Sequence, residues 1–363
     1  MKNKIISPFN LLLVWITFIS LFCPEMPAQV IRCFYCKMQI TGSYITVEGY
    51  HYHPEHFLCK KCGKPIEGSY QKLFDDFYHP GCYEEETAIK CAVCDQVING
   101  ESITKDFKFY HPECYRKFIL PKCSICLEPL DGEYQIDVYG NKFHPMHSVA
   151  LDKCEACGRI ICSQLTNGGR YYQDGRHICN LCYDKAVFNQ NDINVLFVKV
   201  MNKLIEMGIN LNKNNISINI VDKNELKRIS GMEIFSQLEG FCNSESMTEY
   251  LNKIKKKTLF NHKVYVLSGL PAVNLEAVIA HELMHAWTAE NTLNNQPLNV
   301  KEGSCNFIAY QYLFYSTDSE VKYLLMNMDK NPDPIYGVGF LKIKNKFYGK
   351  PVSALLDYLK TFN

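Results

Sequence analysis

Residues 33–62 read CFYCKMQITGSYITVEGYHYHPEHFLCKKC, a C-x2-C pair, an H-x2-H pair and the next C-x2-C pair. This spacing is metal chemistry. A C-x2-C turn aims two thiolates at one tetrahedral ion, and a second pair two residues apart completes the cage. Working outward, the pattern recurs five times. The sets are Cys33, Cys36, His53 and His56; Cys59, Cys62, His79 and Cys82; Cys91, Cys94, His111 and Cys114; Cys123, Cys126, His144 and His147; and Cys154, Cys157, Cys179 and Cys182. In the first four the third ligand sits in the same phrase (YHPEH, YHPGC, YHPEC, FHPMH), which marks an internal repeat. Histidine replaces cysteine in register, so a disulfide framework does not account for the pattern. Between the pairs, turns around Gly42, Gly68, Gly100 and Gly132 predict a β-hairpin in each of these four units. Cys162 and His177 lie inside the fifth unit as alternative ligands there.

The first two units resemble a LIM domain, because only two residues separate His56 from Cys59, the tight junction of a LIM zinc-finger pair. His56 stands where that pattern more often has cysteine. The later junctions are longer, so 91–182 reads as further LIM-related fingers with looser pairing. A site with four protein ligands has no open position for chemistry. The resemblance therefore implies protein binding through the fingers.

Charge agrees. The whole chain of 363 residues carries a formal +1, and residues 29–189 hold two more acidic than basic side chains before any thiolate is counted. Such a module repels phosphate backbones, which argues against nucleic acid as a partner. Hydrophobic residues make up 47% of the chain, enough for a sizeable core. At the start, Lys2 and Lys4 precede a 12-residue apolar run, Leu11–Phe22, with Ala28 before Gln29. The run is short for a membrane span and suits a signal peptide over 1–28. The expectation is an exported protein, periplasmic or secreted, without a membrane association once the leader is removed; an uncleaved leader would anchor it.

From Asp192 the ligand repeats cease, and beyond Cys182 only Cys242 and Cys305 remain, as thiols or as a disulfide. Val195–Met207 reads as a helix and Ile216–Val221 as a strand. His262–Leu270 alternates like a strand, and Lys263–Ser268 within it is the candidate edge for pairing with an extended peptide. A helix capped by Asn274 follows, running to about Ala289 and carrying AVIAHELMHAW. His281 and His285 leave one face a turn apart, as a shared zinc requires, and Glu282 is placed to take a proton from a zinc-activated water. No histidine follows His285, and Glu290 is too close along the same helix to return. Glu302, opening the next helical segment, is the expected third ligand; a dipole-stabilised carboxylate is its bland reading. Tyr336, in NPDPIYGVGF, is a candidate oxyanion donor or a structural turn residue.

Across roughly 33–363 the order of motifs resembles the plant growth-limiting LIM peptidases, the "DA-one" family. The matching residues are VYVLSGLP, AHELMHAW, the EGSC around Glu302, the GFC at 240–242 and IYGVGF. The resemblance implies endopeptidase activity with one catalytic and about five structural Zn2+. Ubiquitin-dependent regulation is not expected to carry over, because the expected signal peptide stands where the plant proteins have ubiquitin-interacting helices. The expected organisation is a multidomain chain. It comprises a signal peptide (1–28), a LIM domain (29–84), three further LIM-like sites (85–188) in treble-clef-like β-hairpin fingers, and an α+β zincin-like (gluzincin) metallopeptidase domain (189–363). The expected function is an exported zinc endopeptidase whose fingers recruit protein substrates or partners. The alternative is a LIM-type adaptor with an inactive peptidase domain.

Overall fold

The computed structural model describes residues 30–231, 238–251, 254–293 and 295–362; the leader expected over 1–28 lies outside them. Among the described residues, no helix is long and apolar enough to cross a membrane.

Each of the five fingers opens with the same turn. The residue four places after the first cysteine (Lys37, Gly63, Asp95, Leu127, Gly158) has φ between 59° and 71°. Its N–H returns to that cysteine's carbonyl at 2.7–3.0 Å. Three of the five are not glycine, and a left-handed backbone there costs roughly 1–2 kcal/mol. A two-stranded hairpin follows: Ile45–Val47 with Tyr50–Tyr52, Gln71–Leu73 with Asp76–Tyr78, Ile103–Lys105 with Lys108–Tyr110, Gln135–Ile136 with Lys142–Phe143, and Gly169–Tyr171 with His177–Cys179. The glycine turns at 42, 68, 100 and 132 precede these hairpins rather than forming their tips. The chain reverses later, as at Glu48–Gly49 and Asp106–Phe107, where both residues have positive φ. That geometry matches the twist of a two-residue hairpin loop. In the second and fourth fingers the third ligand then caps a short helix with proline at its start (Pro80–Thr87, Pro145–Ala150), so the HP dipeptide is a helix opening.

The chain forms two compact units, divided between Cys114 and Tyr115. In the first, fingers one and two share a core of Ile40, Val47, Tyr52, Phe57, Ile66 and Tyr78. In the second, fingers four and five share Ile125, Leu130, Phe143 and Ile160. Their six-residue junction therefore permits a packed pair, closer than its length suggested.

Beyond the fingers lies a mixed α/β region: α1 (Gln190–Glu206), β1 (Ile216–Val221), α2 (Lys223–Ser230), β2 (Gly240–Leu251), β3 (Ile254–Leu267), α3 (Ala272–Asn291), α4 (Leu298–Leu313), α5 (Val321–Lys330), α6 (Gly337–Phe347) and α7 (Val352–Lys360). The sheet order is β1-β3-β2, parallel between β1 and β3 and antiparallel between β3 and β2. Lys263–Leu267 is thus the middle of the sheet, paired on both sides, and not an edge. The edge beside α3 is β2. Alternation could not reveal this, because edge or centre is decided by which distant strands pair. The strand ends at Leu267, and Ser268–Gly269 turns the chain with Gly269 at φ 80°.

Asn274 is not the cap of α3. The helix starts at Ala272, and the Asn274 amide instead donates to the carbonyl of Ala156 in finger five at 3.1 Å. Finger five meets this end of α3 at several points. Ala186–Val187 pairs with Leu270–Pro271, Tyr172 Oη donates to Gly269 O at 3.0 Å, and Arg176 donates to Ser268 O at 2.8 Å. Glu320, almost fully buried, accepts from Arg159 at 3.1 Å and Lys185 at 2.8 Å. Gly158 lies so close to the Tyr323 ring that a Cβ would fall 2.1 Å from it.

Candidate metal centre

Each of the five predicted four-residue sets comes together, with one donor atom per residue and all within 4.8 Å of one another. The distances fit a shared ion. Tetrahedral bonds of about 2.3 Å to sulfur and 2.0–2.1 Å to nitrogen place two sulfurs about 3.8 Å apart and a sulfur and a nitrogen about 3.5 Å apart. Cys157 and Cys179 Sγ are 3.8 Å apart, and Cys36–His53, Cys62–His79, Cys94–His111 and Cys126–His144 measure 3.4–3.5 Å. Burial works against a thiolate at Cys33, yet the backbone N–H groups of Cys36 and His53 bring that thiol down to about 5. Cys59, Cys91 and Cys123 sit at about 6 by the same opposition. Cys162 and His177 stay outside the fifth set: His177 Nδ1 pairs with Asp152 at 2.9 Å and its ring stacks on Tyr171.

A sixth cluster lies between α3 and α4. His281 Nε2 and His285 Nε2 are 3.1 Å apart, and Glu302 Oε2 lies 3.2 Å from the first and 3.3 Å from the second. Two nitrogens around one tetrahedral zinc would sit about 3.3 Å apart. Three donors of His2Glu type at this separation suit an ion with one open position. Glu302 is buried on the second turn of α4 and does not act as an exposed N-terminal carboxylate. Burial would push its carboxyl up, but the two imidazoles override that and hold it well below the usual carboxylate range. His281 is raised: burial opposes its charged form, while Glu302, Glu282 and Asn306 favour it.

The outer ring nitrogens have their own partners, which the sequence reading missed. Asn306 Oδ1 accepts from His281 Nδ1 at 2.8 Å while its Nδ2 donates to Tyr336 O at 2.9 Å. This fixes the His281 tautomer with its Nε2 lone pair toward Glu302. Cys305 Sγ lies 3.4 Å from His285 Nδ1. Asn306 is one helical turn beyond Glu302, so periodicity in EGSCN was the available signal. Cys305 and Cys242 are both free, which settles against a disulfide between them. α4 is held close to α6 by glycines: a Cβ on Gly303 would lie 2.4 Å from the Gly339 carbonyl carbon.

Glu282 is buried on the same stretch of α3, against the edge strand. A Cβ on Gly240 would come 2.7 Å from its Oε1. Burial pushes the Glu282 carboxyl up, and Glu302 adds to this against the two imidazoles. Tyr336 stands at the start of α6; burial and then the charges of Glu302 and Glu282 raise its phenol to about 12. It therefore keeps its proton on the side of the cluster.

The comparisons with known proteins match these two parts. Residues 33–87 fit the LIM domain model, and residues 243–324, which include His281, Glu282, His285 and Glu302, fit the model described as DA1-like: Protein DA1. The LIM domain-containing protein HDR3 of Oryza sativa subsp. japonica is 26% identical over 310 residues, covering 77% of this chain and 56% of that protein. Protein DA1-related 2 of Arabidopsis thaliana is 26% identical over 311 residues, covering 77% and 53%. PDZ and LIM domain protein 7 of Gallus gallus is 37% identical over 79 residues, covering 22% and 19%. The chain spans little more than half the length of the two plant proteins it matches. The chain is thus similar to the plant DA1 proteins, with a LIM-matching segment and a DA1-like segment that encloses the sixth donor cluster.

Proposed function

We propose that residues 189–363 are a zincin-like, zinc-dependent endopeptidase domain and that the LIM-type fingers recruit its protein substrates or partners. One observation carries the reading: three donor atoms of His281, His285 and Glu302 converge within 3.1–3.3 Å beside the buried Glu282. When bound there, zinc supplies Lewis acidity toward a peptide carbonyl and a water. The other steps belong to the chain. Glu282 takes a proton from the water as oxygen bonds to the acyl carbon, and returns it to the departing amine as the C–N bond breaks. Its raised carboxyl pKa suits both transfers. The outer edge of β2 offers backbone pairing to an extended peptide beside Glu282. The Tyr336 phenol donates toward the carbonyl oxygen as charge gathers on it. Export remains part of this proposal; finding Met1 on the mature chain by N-terminal sequencing would count against it.

The test is hydrolysis of internally quenched peptides by the zinc-loaded chain and by Glu282→Gln. The variant should lose about 10²–10⁴-fold in kcat while keeping its zinc. Undiminished cleavage by Glu282→Gln would sink the reading. A wild-type chain that holds about five zinc ions, none at His281, and cleaves no peptide would be the protein-binding adaptor instead.

A further inference from the structure

We infer that Ser244, His262 and Glu290 form a positioning chain that fixes the outer edge of β2 to the far end of α3, and so sets how long extended peptides seat beside Glu282; this rests on the peptidase reading above. Leu267 N–H donates to Glu239 O at 2.9 Å. Bonded positions alternate in an antiparallel ladder, so Gly240, Cys242 and Ser244 turn their own amides and carbonyls to the edge that has no partner strand among the described residues.

Ser244 lies directly opposite His262 across the β2–β3 ladder. Its hydroxyl is 2.7 Å from Nδ1, and the other ring nitrogen, Nε2, is 3.1 Å from Glu290 Oε1. A carboxylate only accepts, so Nε2 donates to Glu290 and Nδ1 accepts from the Ser244 hydroxyl. The His262 side chain has no exposed surface, and Phe260 stacks beside it. An apolar side chain would fill that position without two ring nitrogens to satisfy. What the imidazole adds is a directional link from helix to strand edge.

The edge is then held at two points along one helix. Gly240 packs against Glu282, where a Cβ would come 2.7 Å from Oε1, and Ser244 is held through His262 on Glu290, eight residues or about 12 Å further along α3. A short peptide that pairs only at Cys242 needs the first hold. A longer one, pairing also at Ser244, needs both.

The experiment compares internally quenched random peptides of about two and about ten residues: rungs on the free edge lie two residues apart, about 6.6 Å at about 3.3 Å per residue, so the former reach one rung and the latter pass the second. For the long peptides Ser244→Ala should raise KM about three- to tenfold with kcat changed less than about twofold, the range expected for one lost hydrogen bond. The KM for the short peptides should move much less, and Ser244→Thr should restore the long-peptide value. Equal effects at both lengths, or a fall in kcat alone, would overturn the inference. Amide hydrogen exchange over 241–245 reads the link without turnover, and should quicken in Ser244→Ala and recover in Ser244→Thr. If the wild-type chain cleaves nothing, the peptidase reading fails; unchanged exchange then also overturns the positioning chain, and quickened exchange supports it.

Discussion

Fingers two and three and finger five share the same two-residue spacing within each ligand pair and live in different surroundings. In the former, the second cysteine of each C-x2-C pair, Cys62 or Cys94, is exposed, and hairpin-tip side chains such as Phe74 and Phe107 stand almost wholly in solvent. In finger five all four cysteines are buried. Around them, Ala156 accepts from Asn274 of α3, and Arg159 reaches Glu320. The lesson is that a closed metal site is a local device, and its surroundings decide what it holds in place. In finger five it holds the N-terminal end of the helix that carries His281, Glu282 and His285.

The largest expected effect breaks this comparison directly. Structural zinc contributes on the order of 10 kcal/mol in small finger domains. Cys157→Ser should therefore remove one zinc and abolish the cooperative melting of residues 115–362, together with any hydrolysis. Cys94→Ser should also remove one zinc but leave that transition where it was. Zinc content and calorimetry on both variants decide it, and matching losses of the transition would mean that the two fingers are equivalent. A smaller effect concerns the contact itself. Glu320→Ala strands Arg159 in a buried position, which should cost about 3–5 kcal/mol in denaturant unfolding. A cost under about 1 kcal/mol would assign the docking to packing and backbone hydrogen bonds alone. The smallest effect separates the closed sites from the three-donor cluster. Asn306→Ala should weaken metal binding at His281, His285 and Glu302 by about 10–100-fold, the usual cost of a lost second partner. The five finger sites should hold their metal unchanged in the same chelator competition.

Much of this was readable in one dimension. The four-residue sets follow from spacing, because a C-x2-C turn and a helix start each fix two side chains within a few residues. β1 occupies the expected Ile216–Val221, and α3 carries HELMH as the apolar frame around it implied. Glu302 emerged by elimination among few carboxylates. Other features were misplaced for two reasons. The cap of α3 and the identity of the edge strand depend on partners far away in the chain, whereas the hairpin tips are local turns that residues other than glycine form, as at Asp106–Phe107. Asn274 has the chemistry of a cap, but Ala156 O, 118 residues earlier, claims its amide.

The sequence by itself thus determined the metal-binding repeats and the H-E-x-x-H helix, since each rests on short-range spacing along a turn or a helix, and it singled out Glu302 only by elimination. Only the tertiary structure decided that β2 is the edge, that Asn306 and Cys305 stand behind the two histidines, that finger five clasps α3, and that His262 links Ser244 to Glu290. Those are matters of strand order and of which faces meet across loops. Burial and long-range hydrogen bonding select them, and neither leaves a periodic trace in the residues themselves.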